Sequence, residues 1–257
     1  MEQTQRRLRL IEALLLEQPG RYAGLSVPTD EESAHRLLRA LLNLRPPVPC
    51  APELLALQDA YLKEELARRR VTDAQALPAN ADGLSLWRGD ITTLKCDAIV
   101  NAANSALLGC FCPNHGCIDN AIHTYAGIQL RLACKRIMDK QGHDEPVGTA
   151  KLTPAYNLPS RYVLHTVGPI VQGAVTARDR QGLASCYRAC LDLADAHGLR
   201  SVAFPCISTG EFHFPNEQAA QIAAGAVRGH EAVRSRRIRV ILNVFKQQDE
   251  QIYRRLL

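Results

Sequence analysis

Short apolar segments rich in β-branched residues alternate with longer helical segments from Leu84 to the C-terminus. The candidate strands are Leu84–Trp87, Ala98–Asn101, Ala150–Ala155, Tyr162–Val167, Ser201–Cys206 and Arg239–Phe245. The candidate helices are Asp119–Lys140, Gly182–His197, Asn216–Arg228 and Asp249–Leu257. This alternation predicts an α/β domain whose largely parallel central sheet is covered by helices on both faces.

The first 80 residues have a different, helical pattern. Apolar residues recur at helical spacing in three segments, Leu8–Leu15, Ala34–Leu44 and Pro52–Arg70, and proline-containing breaks separate them. No catalytic motif occurs in this part of the sequence. We therefore predict a helical extension over residues 1–80 that packs on another surface, and an α/β domain over residues 81–257.

The composition is that of a globular protein, with 46% hydrophobic and 22% charged residues. The formal net charge is +5, but the basic residues are dispersed and no aromatic-rich surface accompanies them, so nucleic acid is not the expected partner. No apolar run reaches the roughly 18 residues that a membrane span needs, and the Arg-rich start of the sequence does not resemble a signal peptide. Nine cysteines without an export signal predict reduced thiols and a cytoplasmic location.

Ligands of such sheets bind beyond the carboxyl ends of the strands, so the loops after Val100, Val167 and Cys206 are the expected site. The first of these loops contains Cys110, His115 and Cys117 within eight residues. Thiolate and imidazole are preferred zinc ligands, and three protein ligands with one open position are typical of a catalytic zinc. Two alternatives stay open at this point. Cys112 could complete a closed four-ligand site, or the cysteines could be redox-sensitive thiols without a metal.

Asp119 and Asn120 follow this segment at the start of a predicted helix. Both residue types are common N-caps, and this structural role is one interpretation. In the other interpretation, Asp119 orients or deprotonates a metal-bound water. The free N–H groups of the helix N-terminus would then bind an anion such as diphosphate.

Two further turns contain candidate ligand contacts. In the loop 206–215, backbone N–H groups at positions 208–210 can turn toward phosphate oxygens, and Phe212 can stack on a sugar. In the turn 87–92, Asp90 can accept a hydrogen bond from an adenine amino group. Each stretch on its own is also consistent with an ordinary turn.

Together and in this order, these elements resemble the macrodomain family. The matching residues are Gly89-Asp90-Ile91-Thr92, Val100-Asn101-Ala102-Ala103-Asn104, and Ile207-Ser208-Thr209-Gly210 with Phe212 and Pro215. The run Gly109-Cys110-Phe111, Pro113, His115, Cys117-Ile118-Asp119-Asn120 and Ile122-His123 is similar to the zinc-containing microbial branch. Members of that branch are protein-ADP-ribose hydrolases, often encoded beside a sirtuin-type ADP-ribosyltransferase. The resemblance implies a three-layer macrodomain with a mixed, largely parallel sheet.

The resemblance also implies roles for individual residues. Catalysis would fall to Asp119 and to Asn104, which would contact the distal ribose, and one zinc ion per chain would bind Cys110, His115 and Cys117. The expected substrate contacts are Asp90, Ile91, Asn104, Asn120, Ser208, Thr209, Gly210, Glu211 and Phe212. Two positions depart from the family pattern: Cys112, and His213, where the family often has glycine.

The implied activity is zinc-dependent hydrolysis of mono-ADP-ribose from modified protein side chains, with esters of Asp and Glu as the expected linkage. The alternatives are hydrolysis of O-acetyl-ADP-ribose in the same pocket, a non-catalytic ADP-ribose reader, and a structural zinc or redox protein. The expected partners are ADP-ribose and mono-ADP-ribosylated protein, with a sirtuin-type ADP-ribosyltransferase as the companion system.

Overall fold

The structure, a computed structural model, describes all residues from Met1 to Leu257. Its strands are β1 (Thr72–Asp73), β2 (Leu84–Arg88), β3 (Leu94–Lys95), β4 (Ala98–Ala103), β5 (Ala150–Pro154), β6 (Tyr162–Val167), β7 (Ser201–Phe204) and β8 (Arg239–Val244). Six of them form one sheet in the order β2-β8-β7-β4-β6-β5, while β1 and β3 form a separate short pair. Only the edge strand β5 runs antiparallel to its neighbour. The predicted mixed, largely parallel sheet is therefore confirmed.

Helices cover both faces of the sheet and form the N-terminal region. They are α1 (Gln3–Glu17), α2 (Glu31–Leu44), α3 (Pro52–Arg68), α4 (Ile118–Ala126), α5 (Ile128–Gln141), α6 (Ala177–Ala196), α7 (Asn216–Gly229), α8 (Glu231–Arg234) and α9 (Gln247–Leu256). No helix combines the length and the apolar character that a membrane crossing requires.

Side chains that alternate between the two faces of the sheet divide the core into two layers. Along β4, Ala98 and Val100 pack in the core that α6 and α7 cover, whereas Ile99 and Ala103 pack in the core under α4 and α5. Successive side chains of a strand point to opposite faces, so a strand buried on both sides is apolar at almost every position. The result is the three-layer arrangement that the sequence predicts.

The predicted helix Asp119–Lys140 is wrong, because it is two helices. The chain bends at Gly127, where φ is +98°, between α4 and α5. The side chain of Gln58, from α3, accepts a hydrogen bond from the N–H of Ile128 at 2.8 Å. The positive φ at Gly127 favours glycine, and a Cβ atom there would lie 2.6 Å from Nε2 of Gln58. A residue of the N-terminal region thus fixes this break.

Helix α6 begins earlier than predicted, at Ala177 instead of Gly182. The hydroxyl of Thr176 accepts a hydrogen bond from the N–H of Asp179, and the Asp179 carboxylate accepts one from the N–H of Thr176. This reciprocal capping box satisfies two N–H groups that would otherwise lack partners.

Helices α1, α2 and α3 are present as predicted and share a core that includes Leu10, Ile11, Leu38 and Leu62. Ile128 of α5 is also part of this core. The helical extension therefore packs on the α4–α5 side of the sheet, next to the loop that precedes α4. The division of the chain at residue 80 stays a prediction.

Candidate active site

The loop between β4 and α4, here the Cys/His loop (residues 109–117), brings its three predicted metal ligands together. The ligating atoms of Cys110, His115 and Cys117 all lie within 4.8 Å of one another. Cys110 Sγ is 3.7 Å from His115 Nδ1, and a tetrahedral zinc with ordinary bond lengths would set this separation at about 3.6 Å. Cys112 is exposed and lies outside the group. The residues therefore fit a three-ligand site better than a closed four-ligand one.

His115 also contacts the loop on the opposite side of the site. Its second ring nitrogen, Nε2, lies 3.5 Å from a carboxylate oxygen of Glu211. Metal-binding histidines usually direct their second nitrogen to a carboxylate or a carbonyl, which fixes the ring orientation. Glu211, which the sequence predicts as a substrate contact, is thus placed to orient the ring of His115.

Asp119 lies in the first turn of α4, directly behind the Cys/His loop. Its carboxylate is buried, and both oxygens accept hydrogen bonds from asparagine amides, one from Asn101 at 2.7 Å and one from Asn104 at 3.4 Å. The Asn104 amide also donates to the carbonyl of Gly109 at 3.2 Å. Asn104 therefore joins the carboxylate to the Cys/His loop, and the two predicted catalytic residues are in contact.

Burial determines the charge of these groups. It raises the pKa of Asp119 to about 6, and the hydrogen bond from Asn101 partly opposes this shift. Burial likewise raises the pKa of Cys117 to about 12, so its sulfur is a thiol unless a cation binds. A coordinating metal deprotonates a thiol, which would make Cys117 a ligand despite its burial.

Beneath Asp119 lies a second set of buried side chains without an assigned role in the sequence analysis. Asn101 donates to Nδ1 of His165 at 3.2 Å, and Nε2 of His165 is 2.9 Å from the hydroxyl of Thr153. Burial lowers the pKa of His165 to about 3, so its ring is neutral and fixes the orientation of the Asn101 amide. His123 Nε2 lies 3.5 Å from Asp119. The spacing of Asp119 and His123, one helical turn apart, is the sequence pattern that could have indicated this pair.

His123, His165 and Cys134 form a second cluster of residue types that bind metals. All three are buried, and both ring nitrogens of His165 already have protein partners. Within this cluster, His165 supports Asn101, which in turn binds Asp119.

The Asn120 side chain connects the Cys/His loop to the helical extension. Asn120 is fully buried, and its oxygen accepts a hydrogen bond from Arg39 of α2 at 2.8 Å. Its amide donates to the carbonyl of Cys112 at 3.0 Å. Arg39 also donates to the carbonyl of His115 at 2.9 Å. Asn120 thus holds the Cys/His loop against the helical extension, and its predicted substrate contact stays a prediction.

The 206–214 loop, between β7 and α7, has the shape expected of an anion-binding turn. The N–H groups of Gly210, Glu211 and Phe212 make no hydrogen bond within the protein. Ser208 has a φ of +65°, and its carbonyl accepts a hydrogen bond from the N–H of Phe214 at 2.9 Å. A bond of this kind closes the turn and leaves its central N–H groups free for an anion. That Ser208, Thr209, Gly210 and Phe212 bind the diphosphate and ribose stays a prediction.

One residue beside this loop and one within it restrict its shape. A Cβ atom at Gly168, just after β6, would lie 2.0 Å from the hydroxyl oxygen of Ser208, so a larger residue would displace that side chain. His213 adopts a φ of +56°, in the left-handed region that glycine populates with less steric strain than other residues. The sequence departure at His213 therefore occurs at a position where the backbone favours glycine.

Asp90 follows β2 and lies apart from Cys110, His115 and Cys117. One carboxylate oxygen accepts hydrogen bonds from the N–H and hydroxyl of Thr92, at 2.9 and 2.6 Å. The other accepts one from Arg69, at the end of α3, at 2.5 Å. Ile91 is buried in the core under α4 and α5, so only its backbone is available to a ligand.

Comparison with known proteins identifies the family. The Macro domain model matches residues 100–223. A protein-ADP-ribose hydrolase of Treponema medium is 51% identical over 261 residues, which cover 100% of both chains. The chain belongs to the macrodomain family. A protein-ADP-ribose hydrolase of Staphylococcus aureus (strain MSSA476) is 49% identical over 232 residues, with 90% of this macrodomain and 87% of the relative covered.

A solved structure shows the same fold. The Trypanosoma brucei macrodomain in complex with ADP-ribose has a TM-score of 0.66 and 30% sequence identity to this macrodomain. The match covers 84% of this chain and 94% of that one.

Proposed function

We propose that this macrodomain is a zinc-dependent hydrolase that releases mono-ADP-ribose from modified protein side chains, with esters of Asp or Glu as the linkage. The main observation in support is the buried Asp119 carboxylate, which two asparagines hold directly behind a Cys–His–Cys group. Relatives with about half of their residues identical are named protein-ADP-ribose hydrolases, and a structural neighbour binds ADP-ribose.

In this proposal the ligand lies across the carboxyl ends of the strands, where α/β proteins bind nucleotides. Asp90 accepts a hydrogen bond from the adenine amino group, and the free N–H groups of the 206–214 loop bind the diphosphate. Asn104 contacts the distal ribose and holds it near Asp119. Fixing the ribose beside the carboxylate reduces the entropy cost of reaching the reactive geometry.

Cys110, His115 and Cys117 would hold the zinc, and Asp119 would move the proton. When bound, zinc supplies Lewis acidity and lowers the pKa of an oxygen ligand. Asp119 accepts a proton from the attacking water or a ribose hydroxyl, a role for which a carboxylate with a raised pKa is suited. Asn101, supported by His165, keeps the carboxylate in place through this transfer. The enzyme would thereby reverse ADP-ribosylation, with a sirtuin-type ADP-ribosyltransferase as the expected source of the modification.

The test uses a protein that carries ADP-ribose on its carboxylates. It is incubated with the purified chain, with and without a tight zinc chelator, and released ADP-ribose is quantified. Release that stops with chelation and returns with added zinc is the expected result. Binding of ADP-ribose without release would contradict a hydrolase of carboxylate esters and would favour a reader. Faster turnover of O-acetyl-ADP-ribose than of the modified protein would favour the deacetylase.

A further inference from the structure

The helical extension contributes one side chain to the end of the site where Asp90 lies. Arg69 is the C-cap residue directly after α3, and its guanidinium donates to Asp90 at 2.5 Å and to the hydroxyl of Thr92 at 2.8 Å. The guanidinium carbon lies 4.1 Å from the centre of the Tyr125 ring, on α4. Arg69 therefore connects the extension, the turn after β2 and helix α4.

These contacts hold the guanidinium in one orientation. Thr92 is fully buried, so its hydroxyl is a fixed acceptor. The guanidinium carbon lies over the Tyr125 ring, and the Arg69 side chain is 23% exposed. Arginine in such a stacked arrangement loses less freedom on binding a ligand than a mobile side chain would.

The position of Arg69 limits how a ligand can reach Asp90. The Thr92 N–H and hydroxyl occupy one carboxylate oxygen, and Arg69 occupies one side of the other. The Asp90 side chain remains 39% exposed. A donor that binds the remaining part of this carboxylate must therefore lie beside the guanidinium of Arg69. If the donor is the amino group of a purine, the flat ring and the flat guanidinium are neighbours.

We propose that Arg69 is a specificity-determining residue at the adenine end of the site, where its guanidinium plane stacks on the base whose amino group Asp90 binds. This inference rests on the proposed function, because it takes the adenine of ADP-ribose as the group at Asp90. Stacking of arginine on nucleobases is a common means of base recognition. It gives the helical extension a direct part in substrate binding.

The experiment measures ADP binding to the full-length, zinc-loaded chain by isothermal titration calorimetry. Arg69→Ala should weaken ADP binding about tenfold, a loss that corresponds to a partly exposed cation–π contact. Arg69→Lys should not restore affinity, because lysine keeps the charge but has no planar face. In turnover assays with modified protein, Arg69→Ala should raise KM with little change in kcat, since the adenine is remote from the scissile bond.

Arg68→Ala is the matched control, because Arg68 is adjacent, exposed and paired only with Glu64 and Glu65 on its own helix. Tyr125→Leu removes the ring beneath the guanidinium but leaves Asp90 and Thr92, so it should give a smaller loss of ADP affinity. This second variant keeps the inference testable if Arg69→Ala does not fold. Unchanged or tighter ADP binding in Arg69→Ala would overturn the inference, as would full rescue by lysine. A wild-type chain that binds neither ADP nor ADP-ribose would instead refute the proposed function.

Discussion

The two loops that meet at His115 and Glu211 are stabilised in different ways. The Cys/His loop depends on side chains from distant parts of the sequence: Arg39 of α2 binds its backbone at His115, and Asn43 accepts a hydrogen bond from the N–H of Asn114 at 3.0 Å. The 206–214 loop is shaped mainly by its own backbone, through the bond between Phe214 and Ser208. Changes at Arg39 or Asn43 should therefore affect the metal end of the site and leave the 206–214 loop intact.

The largest effect should come from removing a metal ligand. Cys117→Ala deletes one of three donors and the sulfur that accepts the N–H of Asn120 at 3.4 Å. We expect zinc content to fall from one ion per chain to near zero and kcat to fall about 10³-fold, since a Lewis acid contributes several kcal/mol to the transition state. ADP affinity should change less than about threefold, because the 206–214 loop does not depend on this residue.

Cys112→Ala is the control for that experiment, because Cys112 is exposed and outside the ligand group. It should retain zinc and turnover, as measured by elemental analysis and by release of ADP-ribose. Loss of zinc in Cys112→Ala would contradict the three-ligand site and would restore the closed four-ligand alternative.

Asp119→Asn should separate catalysis from metal binding within the same region. The amide cannot accept a proton, and it replaces a carboxylate that both Asn101 and Asn104 bind. We expect kcat to fall about 10²-fold or more, the usual loss when a general base is removed. Zinc content and ADP affinity should stay close to wild type. Near-normal turnover in this variant would show that another group takes the proton.

Arg39→Ala tests whether the extension supports the Cys/His loop. The substitution removes hydrogen bonds to the carbonyl of His115 and to the side chain of Asn120. Loss of such supporting contacts typically lowers metal affinity about 10- to 100-fold, which competition with a fluorescent chelator can measure. Arg36→Ala is the control, since Arg36 is on the same helix but exposed. Equal zinc affinity in both variants would mean that the Cys/His loop holds its shape without α2.

The part of the site that could be predicted from the sequence is the part that depends on local spacing. The strands end near the predicted positions, and the three ligands are close in sequence, so their loop brings them together. Gln58, Arg39 and Arg69 could not be predicted, because each acts on a residue more than 20 positions away. The contact between Asn120 and Arg39 could not be predicted for the same reason. The position of Asn120 near a helix start fits several roles, and the structure adds the contact with Arg39 to them.

The smallest effect should come from the one contact between the two loops. Glu211 is exposed, and its carboxylate lies 3.5 Å from Nε2 of His115. In Glu211→Gln the side chain keeps its length but loses the charge that would stabilise a metal-bound imidazole. We expect zinc affinity to fall about tenfold at most, the small end of the usual loss when a carboxylate that supports a metal ligand is removed. The loss is small because water can replace part of the interaction at an exposed position. A similar tenfold loss of ADP affinity with unchanged zinc affinity would contradict this role. It would show that Glu211 acts on the ligand through the 206–214 loop, as the sequence alone suggested, and that the two loops bind zinc and nucleotide independently.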